Sequence, residues 1–150
     1  MSFFDSLDIA ASGLTAERLR MDVTAENLAN AQTTRGANGQ PYQRQEVVLQ
    51  QAGGFGATLA NAMGVTGAGA TSGTPGGVEV AGIVSDPTPD QLVYDPSNPD
   101  ANKQGYVRMP NVNSVTEMTD LIDESDSYQA DVTAMDTAKT MFTKTLDLLK

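Results

Sequence analysis

The chain has 150 residues and a formal net charge of -10, and Leu, Ile, Val and Phe together fill only 30 positions, a combination at the border where chains stop folding on their own. It contains no His and no Cys, which excludes Ser-His-Asp catalysis, thiolate nucleophiles, disulfides and the usual zinc ligand sets. A pI near 4.1 argues against nucleic-acid and anionic-membrane partners, no apolar run reaches the roughly 20 residues of a membrane span, and the opening MSFFDSLDIAASG carries acids where a secretory signal needs Lys or Arg.

The strong hydrophobes concentrate at the two ends in helical register. Phe4, Leu7, Ala11, Leu14, Arg18, Met21, Ala25 and Leu28 alternate three and four apart, a heptad seam interrupted by Arg18. The spacing predicts a helix roughly 40 Å long, opened by a Ser2/Asp5 capping box and closed by Thr33, Thr34, Gly36, Asn38 and Gly39. Asn27 and Asn30 stand three apart near its end, although Asn is a poor helix former. They read either as fraying before the turn or as amides that bond across to another helix and fix its register.

The middle of the chain changes character. Residues 42–50 have strand composition in their second half, and residues 53–77 contain nine glycines, so that segment is expected to be a mobile surface loop with at most a turn at Ala57–Met63. Three short strands are expected next, around Val78–Val84, Gln91–Tyr94 and Tyr106–Met109, separated by Pro87, Pro89, Pro96 and Pro99. In the loop DPSNPDANKQG, Asn98, Asp100 and Asn102 imitate the first ligands of an EF-hand, but Lys103 and Met109 stand where that loop requires Gly and Glu. The Gly-rich stretch has no phosphate-binding motif, and acids three apart on a helix are ordinarily a solvated face. No catalytic, cofactor-binding or metal residue is expected.

A second seam closes the sequence. Met118, Leu121, Ser125, Tyr128, Val132, Met135, Lys139, Phe142, Leu146 and Leu149 again alternate three and four apart, over a helix of roughly 50 Å. Ser114 and Glu117 are its expected capping box. The fold class is therefore mainly α with a small β region: two heptad helices forming a coiled-coil-like pair, joined by a β-hairpin-rich middle with a long Gly-rich loop. The expected divisions are 1–35, 36–111 with the flexible loop 51–77, and 112–150, the two helices making one discontinuous inner domain. Amphipathic helices of this kind need a partner for their stripe, either each other or a neighbouring molecule.

The stretch SLDIAASGLTAERLRMDVTAENLANAQTT resembles the N-terminal signature of the flagellar axial proteins, the family of rod, hook and hook-associated subunits. PYQRQEVVL, LVYDPSNPDANKQGYVRMPNVN and VTEMTDLIDESDSYQADVTAM are similar to the basal-body rod branch of that family, the proximal rod in particular. The likeness covers 1–50 and 78–150. It implies a structural subunit, not an enzyme, passed through the flagellar type III export apparatus and polymerised in the periplasm into the hollow, torque-transmitting rod. Implied partners are further copies of itself, other proximal and distal rod subunits, the ring-to-rod adaptor and the export apparatus. The family usually has Asn where this chain has Glu26, Asp131 and Asp136, so no family role for amides carries over there. It keeps Asn27 and Asn30, which favours the register-fixing reading. The expected assembly interface is Leu7, Leu14, Met21, Asn27, Leu28, Asn30, Met118, Leu121, Tyr128, Val132, Met135, Phe142, Leu146 and Leu149. The alternative is a soluble coiled-coil adaptor forming a small closed oligomer.

Overall fold

The computed structural model describes residues 3–36, 38–52 and 76–147, with the side chains of Phe3 and Phe4 outside that description. The capping box expected at Ser2, the turn expected at Ala57–Met63, most of the expected loop 53–77 and Leu149 lie outside the described residues. The elements are helix α1 (Phe3–Ala29), strands β1 (Gln45–Gln51), β2 (Val78–Ser85), β3 (Gln91–Tyr94) and β4 (Tyr106–Met109), and helix α2 (Ser114–Asp147). This is the expected mainly α chain with two small hairpins between its terminal helices. β1 pairs with β2 and β3 with β4, each as a separate two-stranded sheet. β3 and β4 run antiparallel, with Leu92 opposite Arg108 and Tyr94 opposite Tyr106.

The contacts divide the chain into two compact units. The first gathers the described parts of Met1–Arg18, Leu49–Ala81 and Asp126–Lys150. Its local chemistry turns on the adjacent pair Ser12 and Gly13. The Ser12 hydroxyl donates to the Ile9 carbonyl at 2.7 Å and accepts the Val78 N–H at 3.0 Å, which holds the start of β2 against α1. Gly77, just before that strand, has φ +80°, a conformation that suits glycine. A Cβ built on Gly13 would lie 2.9 Å from Asp131 Oδ2. A glycine inside a helix costs about 1 kcal/mol against alanine; here it opens the space in which α2 approaches α1. Ala16, 3% exposed, completes the buried face of this unit.

The second unit comprises Leu19–Val48 and Gly82–Ser125. Its apolar core is small: Val23, Val107 and Val112 are buried, with Pro110. The sequence Pro110-Asn111-Val112-Asn113 alternates buried ring or side chain with working amide. Asn111 Oδ1 accepts the Arg44 N–H at 2.8 Å, while its Nδ2 donates to the Thr88 carbonyl at 3.2 Å, so one side chain fixes the entry to β1 and the turn after β2. Asn113 Oδ1 accepts the Val115 N–H at 3.0 Å, and its carbonyl takes the Glu117 N–H. That geometry makes Asn113 the N-cap of α2. The expected Ser114/Glu117 capping box is thus corrected by one residue, because the Glu117 carboxylate is drawn into the interior of the unit instead of folding back on its own helix.

The loop that imitated a calcium site uses its oxygens locally. Asn98 Oδ1 accepts the Asp100 N–H, and Asn102 Oδ1 accepts the N–H groups of Gln104 and Tyr106. The Asp100 carboxylate takes the Thr34 hydroxyl at 2.8 Å and lies 3.7 Å from the Arg35 guanidinium.

Asn113→Ala is expected to lower the unfolding free energy by about 1 kcal/mol, read as a shift of the urea midpoint, with Ser114→Ala costing less. A larger loss for Ser114→Ala would return the cap to the serine.

Candidate functional site

The centre of the second unit is polar. Glu117 and Asn27 are each 1% exposed and are among its largest fully buried side chains, and Thr24 and Glu124 are buried beside them. A buried carboxylate is tolerated only when it is paired and hydrogen-bonded. Glu117 Oε1 accepts Arg44 Nε at 2.5 Å, and its Oε2 accepts Asn27 Nδ2 at 3.1 Å. Earlier on α1, one turn before Asn27, Thr24 donates its hydroxyl to Glu124 Oε1 at 3.1 Å, and Arg20 Nε lies 3.5 Å from the same oxygen.

Asn27 uses its whole hydrogen-bonding capacity, two donors and two acceptor lone pairs. Besides Glu117, its Nδ2 donates to the Gln45 carbonyl at 2.8 Å, and its Oδ1 accepts the Gln45 N–H at 2.9 Å and the Tyr42 hydroxyl at 2.9 Å. The side-chain amide acts toward Gln45 as a neighbouring strand would, taking both of its backbone groups where β1 begins. Burial, reinforced by Glu26 and Glu117, raises the Tyr42 pKa above its ordinary value, which keeps the phenol a donor to Asn27. Of the two readings of Asn27, the structure supports the amide that bonds across to another helix, and it does so within one molecule. Asn30 stays local: its Nδ2 donates to the Glu26 carbonyl and its Oδ1 accepts the Thr33 hydroxyl.

Arg44 is the cation on which this centre depends. Its guanidinium also pairs with Glu46, and lies 3.9 Å from Asp86 and 3.7 Å from Asp120. Burial alone would lower its pKa; the hydrogen bond and charge of Glu117, with those of Glu46, outweigh burial and raise it. A cavity of about 290 Å³ opens beside Arg44, Glu46 and Glu124, lined by side chains already engaged with one another. Periodicity pointed to neither Arg44 nor Glu117 as central; the only sequence signal was an acid recurring every seven residues at Glu117, Glu124 and Asp131.

Those three positions explain how the expected seam relates to the buried line of α2. Leu121, Tyr128 and Met135 are half-buried, as a seam requires, but Met118 is 54% and Val132 37% exposed. The alternate inward positions are Glu117 and Glu124 in the second unit and half-buried Asp131 in the first, one residue earlier in each case. Phe142 and Leu146 are 37% and 48% exposed. On α1, Leu7, Leu14, Met21 and Leu28 are half-buried at the edge of the packed face, whose inward line is Gly13 and Ala16 in the first unit and Arg20, Val23 and Asn27 in the second. The chain thus keeps heptad spacing on both helices, puts small and polar side chains on the inward line, and leaves much of the apolar stripe uncovered.

Removing one partner of a buried ion pair costs about 3–5 kcal/mol, whereas replacing both with apolar groups is often neutral. Arg44→Met is therefore expected to destabilise the chain by about that amount, and adding Glu117→Leu to recover most of the loss in a double-mutant cycle followed by urea unfolding. Simple additivity of the two losses would contradict the pairing.

Comparison with known proteins gives these features a family. Residues 7–38 match the family described as flagella basal body rod protein, and residues 103–148 match the C-terminal family of flagellar basal body rod FlgEFG proteins. The chain is 45% identical to the flagellar basal-body rod protein FlgC of Bacillus subtilis (strain 168), over 100% of both chains. It is 43% identical to FlgC of Yersinia enterocolitica, over 99% of this chain and 98% of that one. It is 38% identical to FlgC of Borreliella burgdorferi, over 100% of this chain and 99% of that one. With a polar centre that ties two helices together and apolar side chains left exposed along α2, the chain belongs to the FlgC family of flagellar basal-body rod proteins.

Proposed function

We propose that the chain is a structural, non-catalytic subunit of the proximal rod of the flagellar basal body. It reaches the periplasm through the flagellar type III export apparatus and polymerises there through its terminal helices into a hollow drive shaft. Its partners are further copies of itself, the other proximal and distal rod subunits and the ring-to-rod adaptor. The terminal helices serve as the inner layer, and residues 36–111 lie on the outside.

One observation carries this reading: the only buried residues of α2 are two acids, Glu117 and Glu124, while Val115, Met118, Ile122, Met141 and Leu146 are each between 48% and 74% exposed. A helix that buries two acids while leaving large hydrophobes exposed presents an apolar surface for something else to cover. The interface residues are Leu7, Leu14, Met21 and Leu28 on α1 and Met118, Leu121, Tyr128, Val132, Met135, Phe142 and Leu146 on α2, together with Leu149, which lies outside the described residues. Asn27 and Asn30 contribute by fixing the end of α1, which sets where that stripe is presented. Each copy offers one surface and receives on another, and such heterologous contacts extend into open helical arrays.

Leu146→Asp is expected to change the stability of the free chain by no more than about 0.5 kcal/mol, because the residue is exposed there, and to abolish incorporation into basal bodies and hence motility. Leu14→Asp is expected to block incorporation as well. Normal motility with Leu146→Asp would contradict the interface. A discrete dimer or trimer by sedimentation, absent from basal bodies, would favour the closed-oligomer adaptor.

A further inference from the structure

The block LVYDPSNPDANKQGYVRMP builds a feature that the packing of the terminal helices does not use. In the β3–β4 hairpin, residues alternate between two faces. Val107, 1% exposed, sits on the inner face with Val93 opposite it. The outer face carries Leu92, Tyr94, Tyr106 and Arg108, arranged as the cross-strand pairs Leu92–Arg108 and Tyr94–Tyr106. Leu92 and Tyr94 are 64% and 65% exposed. The two tyrosine rings meet edge to face at 5.2 Å. Gly105, at φ +83°, leaves room for the Tyr94 ring, since a Cβ there would lie 2.8 Å from Tyr94 Cε2. Asn102 closes the hairpin end through two N–H groups. The exposed rings are therefore held in place before any partner arrives, which removes part of the ordering cost of binding. Exposed, rigid Tyr with Arg is the composition of an interface hot spot.

The same unit carries a second uncovered surface. Val115, Met118 and Ile122 fall on one face of α2, at 74%, 54% and 61% exposure, and exposed Asp123 follows Ile122 on the flank of the helix. Neither Arg108 nor Asp123 forms an ion pair with a described residue. We infer, on the basis of the rod-subunit reading above, that the outer face of the β3–β4 hairpin of one copy docks on the Val115–Met118–Ile122 face of α2 of the next copy, with Arg108 against Asp123. Charge selects this occupant. A chain of net charge -10 with only nine Lys and Arg repels its own copies except where a basic patch meets acids, and Arg108 and Lys103 place two of those nine on one hairpin. The spacing agrees: cross-strand pairs two residues apart are separated by about 7 Å, and Met118 and Ile122, four apart on a helix, by about 6 Å. The tyrosine pair then covers the Met118 thioether, a favourable aromatic contact, when Arg108 reaches Asp123.

The test uses the absence of native Cys. Chains carrying both Tyr94→Cys and Met118→Cys, expressed in motile cells and recovered in basal bodies, are oxidised and run on non-reducing gels. The expected result is a disulfide-linked series of this chain, absent from either single variant. Charge reversal is the second arm. Arg108→Glu and Asp123→Arg are each expected to lower incorporation about tenfold or more, and the two together to restore it. A band joining this chain to a different rod component, cross-linking by Tyr94→Cys alone, or incorporated chains without any cross-link would overturn the proposed contact. So would failure of the double reversal to restore incorporation. Absence of the unmodified chain from basal bodies would instead overturn the rod reading on which the contact rests.

Discussion

The buried carboxylate of Glu117 sets the terms for everything around it. A charge removed from water is stable only where an opposite charge and hydrogen-bond donors meet it with good geometry. Arg44 supplies the charge and Asn27 a donor, from positions 73 and 90 residues away in sequence. The first turns of α2 therefore draw their partners from the end of α1 and the start of β1. Asn27 extends the dependence by binding both backbone groups of Gln45, and Asn111 extends it again by holding the Arg44 backbone. The arrangement is more a lock on register than a source of large net stability, because the cost of desolvating the ions offsets much of their attraction.

Placing charge inside has its counterpart outside. A compact domain of this length would bury its leucines and methionines and leave its acids in water. Here the inward line of the helices carries Gly13 and Ala16 in one unit and Asn27, Glu117 and Glu124 in the other, while Met118, Ile122 and Leu146 remain exposed. The low content of strong hydrophobes follows from this division. The inner packing is made by small and polar groups, and the hydrophobes that remain are kept for neighbours. Such a chain is expected to be marginal alone and to gain stability from neighbours, in keeping with the proposed export and polymerisation.

Much of the fold was legible in the residues. The three-four spacing at each end placed both long helices, and strand composition in the second half of 42–50, with three short runs separated by prolines, placed the four strands among the described residues. What escaped was the identity of the buried line. The apolar seam includes Met118, Val132, Phe142 and Leu146, which are exposed; the inward neighbours of Met118 and Val132 are acids, which hydropathy assigns to solvent. Only the recurrence of Glu117, Glu124 and Asp131 every seven residues marked them, and nothing local indicated that Arg44 would answer the first. Ser12 and Gly13 were hidden for a similar reason, since a hydroxyl that holds a distant strand and a glycine that admits a neighbouring helix look like ordinary weak helix formers. The cap of α2 moved from Ser114 to Asn113 because Glu117 had a stronger partner elsewhere. The family likeness favours a cross-helix reading for Asn27 and Asn30 alike; Asn27 donates to Glu117 on α2, whereas Asn30 bonds to Glu26 and Thr33 nearby.

Hydrogen exchange on the free chain, followed amide by amide, tests this account most directly. Strong protection is expected around Val23–Asn27 and Glu117–Leu121, where the polar lock closes, and weak protection over residues 141–147, all of which are exposed in the single chain, with protection rising along both helices on assembly. Full protection of both helices in the free chain would contradict the claim that a locked polar centre leaves the remaining stripe to be completed by neighbours.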